Sequence, residues 1–176
     1  MSIVAALLLI LQVTPPVPAA GLPAASGVYL RQDDKWIAFK PAQISGSKTK
    51  GLGSFVDTGG YTNLGTNASI PGAKSSTRIF IPQPTFYVRE VGHSKDVMLI
   101  RLAKSGNSRT FHTSTGDATV ENKEGFRKAD IRKTIVTEYP DGTYSVKPED
   151  ELKPGEYLVV FGDVGSSYDF GIDEQK

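Results

Sequence analysis

The 176-residue chain contains no cysteine. That absence removes disulfides, thiolate nucleophiles and cysteine-ligated zinc together, so the domain must hold itself by apolar burial and β-pairing. An excess of charge is missing as well. The 20 Lys/Arg against 19 Asp/Glu give a formal net charge of +1, which predicts no general affinity for nucleic acid or an anionic membrane. No apolar run approaches the ~20 residues of a membrane-spanning helix, so no membrane span is expected. Helical patterning is scarce too. Ala118 to Arg132 carries the one helical charge spacing, Gly125 interrupts it, and at most one short turn is expected there.

What is present begins with an apolar N-terminus. Ile3 to Val13 is almost wholly apolar and leads into Thr14-Pro-Pro-Val-Pro-Ala-Ala20. A run of this length suits the core of an export signal, and Pro18-Ala-Ala20 or Pro23-Ala-Ala25 supplies the small residues that a leader peptidase needs. The mature chain is therefore expected to begin at Gly21 or Ser26, with residues 1–25 as leader and residues 26–176 as one domain. The basic residues that usually precede a leader core are absent, which leaves a retained apolar arm as the alternative. Export without cysteine points to an extracytoplasmic bacterial protein, whether periplasmic, surface-bound or secreted.

Strand signals fill the rest. Gly27 to Arg31 and Trp36 to Phe39 flank a polar turn at Asp33-Asp-Lys35 and predict a hairpin. Residues 45–77 are rich in glycine and read as a long surface excursion or as short strands with bulges, with Leu52 to Val56 a candidate strand. Arg78 to Ile81, Thr85 to Val91 and Val97 to Leu102 are strand-length runs, and Lys104-Ser-Gly-Asn107 turns into a strand at Arg109 to Thr113. Pro140-Asp-Gly142 joins Lys133 to Tyr139 with Thr143 to Val146, because proline presets one dihedral and glycine accepts a positive one. Glu156 to Phe161 is almost continuously apolar and fits the centre of a sheet, and Tyr168 to Ile172 is a short last strand. The pattern predicts an all-β, single-domain antiparallel β-sandwich, immunoglobulin-like or related, with little helix.

The C-terminal third carries a resemblance. Val146-Lys-Pro148, Leu152-Lys-Pro-Gly-Glu-Tyr157, the apolar strand after it and Tyr168-Asp-Phe-Gly171 resemble a C-terminal pattern of exported bacterial proteins of unknown function. The resemblance implies an extracytoplasmic β-sandwich and no catalytic residues. The Leu-x-Pro-Gly-x-Tyr element is similar to one found in many extracellular sandwich modules. Its physics is a turn at Pro154-Gly155 and an inward-facing Tyr157 in the manner of a tyrosine corner.

Constellations for chemistry are thin. Asp169-Phe-Gly171 spells the magnesium triplet of kinases without the glycine-rich loop, lysine or catalytic loop that gives it meaning. Gly51-x-Gly53 and Gly59-Gly60 lack the Gly-Lys-Ser/Thr ending of a phosphate loop. His93 with Ser94 and Asp96, or His112 with Ser114 and Asp117, lack the strained elbow of a hydrolase triad. Asp33-Asp34 and Glu149-Asp-Glu151 are acidic turn clusters without the spacing of a calcium loop. No catalytic residue, metal or cofactor is expected. Tyr61 and Asn63, in the glycine-rich excursion, are the binding candidates, because an aromatic and an amide on a loop suit a protein or a sugar. Asn67-Ala-Ser69 matches a glycosylation sequon, which says little in a bacterial host.

Charge is unevenly placed along the chain. Gly27 to Lys133 holds 17 Lys/Arg against 9 Asp/Glu, and Thr134 to Lys176 holds 3 against 10. Either the acidic C-terminal strands lie beside basic N-terminal ones, or the molecule is polar enough to associate head to tail. The expected function is a non-catalytic exported interaction module that binds an envelope protein or polysaccharide. A self-assembling envelope or filament subunit, made of copies of itself, is the alternative, and a hydrolase of envelope polymers is the remaining class.

Overall fold

The computed structural model describes residues 20–45, 65–114 and 126–174. They form a nearly all-β, sandwich-like fold of thirteen strands in three sheets. The front sheet contains β1 (Gly27–Gln32), β2 (Lys35–Ala38), β5 (Phe86–Arg89), β10 (Thr134–Glu138) and β11 (Tyr144–Pro148), in the order β10-β11-β5-β1-β2. The middle sheet contains β4 (Arg78–Ile79), β6 (Val97–Arg101), β9 (Ile131–Arg132), β12 (Gly155–Phe161) and β13 (Asp163–Ile172), in the order β4-β13-β12-β6-β9. A small back sheet is made of β3 (Gly65–Pro71), β7 (Ala103–Ser105) and β8 (Ser108–Ser114), in the order β3-β8-β7. Pairing is antiparallel except where β4 runs parallel to β13. The 3-10 turn Ser94–Asp96 is the helical element among the described residues.

Alternation along β12 explains why the middle sheet is the centre of the molecule. Tyr157, Val159 and Phe161 point into a core shared with Val28, Leu30, Phe86, Val88 and Val146 of the front sheet. Leu158 and Val160 point the other way, into a second core with Ala68, Ile70 and Phe111 of the back sheet. A strand buried on both faces has no polar side to show, which is why the sequence from Tyr157 to Phe161 is continuously apolar. The front core is rich in rings: Phe86 and Phe170 lie 5.0 Å apart, and Tyr157 stacks on Phe170 at 5.5 Å. Each such side chain contributes about 1.5–3 kcal/mol by leaving water, which is how a chain without disulfides holds together.

Three strands carry the chain from one sheet to the next. β6 passes into β7 through the single residue Leu102, whose N–H donates to the Glu156 carbonyl at 2.9 Å. β9 passes into β10 through Lys133 alone. Beyond β2, Pro41 bridges Tyr168 of the middle sheet and Ser45 bridges Ser69 of the back sheet. Such bends make the corners of packed sheets and close off edges that would otherwise pair with another chain.

The hairpins read from the sequence are present. Asp33 and Asp34 both take positive φ between β1 and β2, as a primed two-residue turn requires. At Pro140-Asp-Gly142 the Gly142 N–H donates to the Tyr139 carbonyl at 3.1 Å, and Asp141 Oδ1 accepts from the Thr143 hydroxyl at 2.6 Å. One feature is more regular than expected. Gly65–Pro71, within the glycine-rich excursion, is a regular strand paired along its length with β8, because Ala68 and Ile70 alternate inward among polar neighbours. In the one segment where a short helical turn was expected, Ala118 to Arg132, the described residues 127–130 form a hydrogen-bonded turn that leads straight into β9. Leu52 to Val56 lies outside the described residues.

Candidate functional site

Three neighbouring strands of the middle sheet build an ionic network at its β4 edge. In register, Arg78 of β4 lies beside Gly171 of β13, and Gly171 lies beside Glu156 of β12. Glycine leaves the middle position empty, so the Arg78 guanidinium lies flat across it. A Cβ at Gly171 would fall 1.6 Å from Arg78 Nη1. From there Nη1 donates to Glu156 Oε1 at 2.5 Å, while Nε and Nη2 donate to the two Asp173 carboxylate oxygens at 3.0 and 2.5 Å. The fork on Asp173 is bidentate, the geometry that fixes a guanidinium in orientation as well as in charge.

A second arginine continues the network inward. Arg109 of β8 is buried, donates to the carboxylate of Asp169, and reaches Glu156 Oε2 at 3.7 Å. Its other nitrogens donate to the Gly72 and Pro71 carbonyls at 3.0 and 2.9 Å. The segment between the arginines is tied to the same groups. Ser75 N–H donates to Glu156 Oε2 at 2.7 Å, and Ser75 Oγ donates to the Asp169 carbonyl at 3.1 Å. The chain Asp173–Arg78–Glu156–Arg109–Asp169 therefore locks back sheet to middle sheet, and a buried arginine is tolerated because its donors are met.

Arg78, Glu156 and Asp173 of this network line a cleft of about 730 Å³ together with Lys74, Phe80, Pro154, Ile172 and Glu174. Phe80, half exposed at 50%, stands on its rim. On the other side of the 74–77 segment lies a polar recess of about 270 Å³, where Lys40, Lys74, Ser76 and Thr77 face Arg109 and Asp169. The hydrogen bond from Arg78, with Lys74 nearby, holds the Asp173 carboxyl below the usual carboxylate range. That is opposite to what a general acid at neutral pH requires, and suits fixed charges that hold a shape or meet a ligand.

The motifs singled out in the sequence take other roles. Tyr61 and Asn63 lie outside the described residues, as do Gly51, Gly53, Gly59, Gly60 and Asp117. His93 and His112 are exposed, and Ser94 Oγ donates to Glu138 rather than to His93. Asp34 pairs with Arg31 at 2.9 Å, and Glu149 lies 3.7 Å from Lys133. Among the described residues no three acidic or histidine side chains gather as a metal site would need. Ser69 of the sequon donates its hydroxyl to the Ser45 carbonyl. The kinase-like triplet is a product of strand alternation. Asp169 faces Arg109, Phe170 enters the front core, and Gly171 makes room for Arg78.

The network itself was not singled out, although one signal existed. Arg78, Glu156 and Asp169 each precede a core residue inside a strand, where a charge needs a partner. The charge asymmetry of the sequence finds its explanation here. Six ion pairs among the described residues join a cation before residue 134 to a carboxylate after it: Arg78 to Glu156 and Asp173, Arg89 to Asp141, Arg109 to Glu156 and Asp169, and Lys133 to Glu149. The two halves meet within one molecule.

No family model matches the chain, and no curated protein or solved structure matches it. Fold and site geometry therefore carry the functional reading. No helix among the described residues is long and apolar enough to cross a membrane.

Proposed function

We propose that the protein is an exported, non-catalytic interaction module that takes an envelope protein or polymer into the cleft beside β4. The carrying observation is the cleft itself. It combines a ligand-sized volume with an aromatic rim at Phe80 and a floor of charges held rigid by one another. Apolar surface from Phe80, Pro154 and Ile172 beside fixed charged groups is a combination that can orient a guest. The apolar N-terminal run, read as a leader, supports an extracytoplasmic setting. Self-association loses one of its two motives, since opposite charges are paired inside the chain, and keeps the other in a retained apolar N-terminal arm.

A photo-cross-linking residue placed at Phe80 tests this in the native envelope, with Ala103 of the exposed strand β7 as the control position. Capture of a different protein or polymer from position 80 and not from position 103 is expected. Self-links alone would make the protein an assembling subunit, and equal capture at both positions would remove the cleft from the function.

A further inference from the structure

The residues just after the apolar N-terminus are built into the front sheet. Tyr29 Oη donates to the Ala25 carbonyl at 2.8 Å, and Arg89 Nε donates to the Pro23 carbonyl at 3.1 Å. Ser26 Oγ donates to Glu90 Oε2 at 2.5 Å, and a Cβ at Gly21 would lie 3.6 Å from Trp36 Nε1. Residues 21–26 thus form a strap over Tyr29, Trp36 and Arg89, and Tyr29 beneath it is only 5% exposed.

The strap also repeats a device found elsewhere in the chain. Tyr157 Oη donates to the carbonyl four residues before it, that of Lys153, at 2.7 Å. Tyr29 does the same to Ala25, and in both places a glycine two residues before the tyrosine has φ near +156°. Ala25 is therefore the acceptor residue of a tyrosine corner that starts β1, as Lys153 is for β12. Removing residues 21–25 would take the Ala25 carbonyl from the Tyr29 hydroxyl and the Pro23 carbonyl from Arg89 Nε, each a loss that folding normally avoids.

We infer that leader processing cuts the Ala20–Gly21 bond and spares Ala25–Ser26, so that the mature domain begins with the strap. This rests on the export reading above. The reaction is hydrolysis by a leader peptidase: water adds across the Ala20–Gly21 peptide bond, leaving a carboxylate on Ala20 and an amino group on Gly21. Ala20 supplies the small side chain that precedes the cut, as Ala25 would at the other bond, so the strap decides between them: every contact of the strap remains with the product of the first cut.

Two measurements test it. The full chain is expressed in an exporting bacterial host and the N-terminus of the recovered protein is read by mass spectrometry. A start at Gly21 is expected. A start at Ser26 overturns the inference while leaving export intact, whereas a retained leader overturns both. Separately, chains 21–176 and 26–176 are purified and melted. The shorter one is expected to unfold about 4–8 °C lower. Equal midpoints would show that the strap contributes nothing and would overturn its place in the mature domain.

Discussion

The two tyrosine corners have the same local geometry and different surroundings. Tyr157 is 1% exposed, stacks on Phe170 and stands in the core between front and middle sheets, where burial pushes its phenol pKa up. Tyr29 lies outside that core, between Val28 and Leu30 which enter it, and its hydroxyl is held by Ala25, which precedes β1. The same hydrogen bond thus anchors a strand to the hydrophobic core in one place and anchors a terminal strap to a sheet surface in the other. Corner geometry sets where a strand begins, and what lies beyond the ring sets how much stability depends on it.

The largest separation between the corners is expected on removing the rings. Tyr157→Ala should cost about 3–5 kcal/mol, the range for a large core aromatic, and Tyr29→Ala about 2 kcal/mol, both read by urea unfolding. Similar costs would mean that the strap is as firm as the core. Loss of Arg109 from the network beside the Tyr157 corner is expected to be comparably severe. Arg109→Met should cost about 3 kcal/mol by leaving Asp169 uncompensated, and should loosen the back sheet first in hydrogen exchange.

At the corner glycines the order reverses. A Cβ on Gly27 would meet the Tyr29 ring hydroxyl at 3.1 Å, whereas one on Gly155 meets Arg101 at 3.6 Å. Gly27→Ala should therefore cost about 1–2 kcal/mol and exceed Gly155→Ala by about half that. The smallest expected effect is on pH dependence, and it belongs to the C-terminal corner alone. Because Arg78 depresses the Asp173 pKa in the fold, the stabilisation is present above the unfolded carboxylate value of about 3.9 and is lost as pH falls through the folded one. Acid titration of stability should show wild type falling more steeply than Asp173→Asn below about pH 4.

These contrasts also explain what the sequence made legible. Leu152-Lys-Pro-Gly-Glu-Tyr157 announces its corner because proline and glycine punctuate it and an apolar strand follows. Ala25-Ser-Gly-Val-Tyr29 makes the same corner without proline, amid small residues that equally suit a leader cleavage region, and it went unread. The hairpin at Pro140-Asp-Gly142 was legible because its turn chemistry is local. The ionic network was not, because its bonds join residues 47 to 95 positions apart and strand pairing alone brings them together. Likewise β3 hides among glycines, since two inward side chains, Ala68 and Ile70, are too few to outweigh its polar composition.

The most direct test is a mutant cycle on the N-terminal corner. Tyr29→Phe deletes only the hydroxyl that reaches Ala25, so its cost should be about 1 kcal/mol in chain 21–176 and near zero in chain 26–176, where the acceptor is gone. Tyr157→Phe, with its acceptor at Lys153 present in both, should cost about 1 kcal/mol in each. An equal cost of Tyr29→Phe in the long and short chains would contradict the strap, because the hydroxyl would then owe nothing to the residues before Ser26.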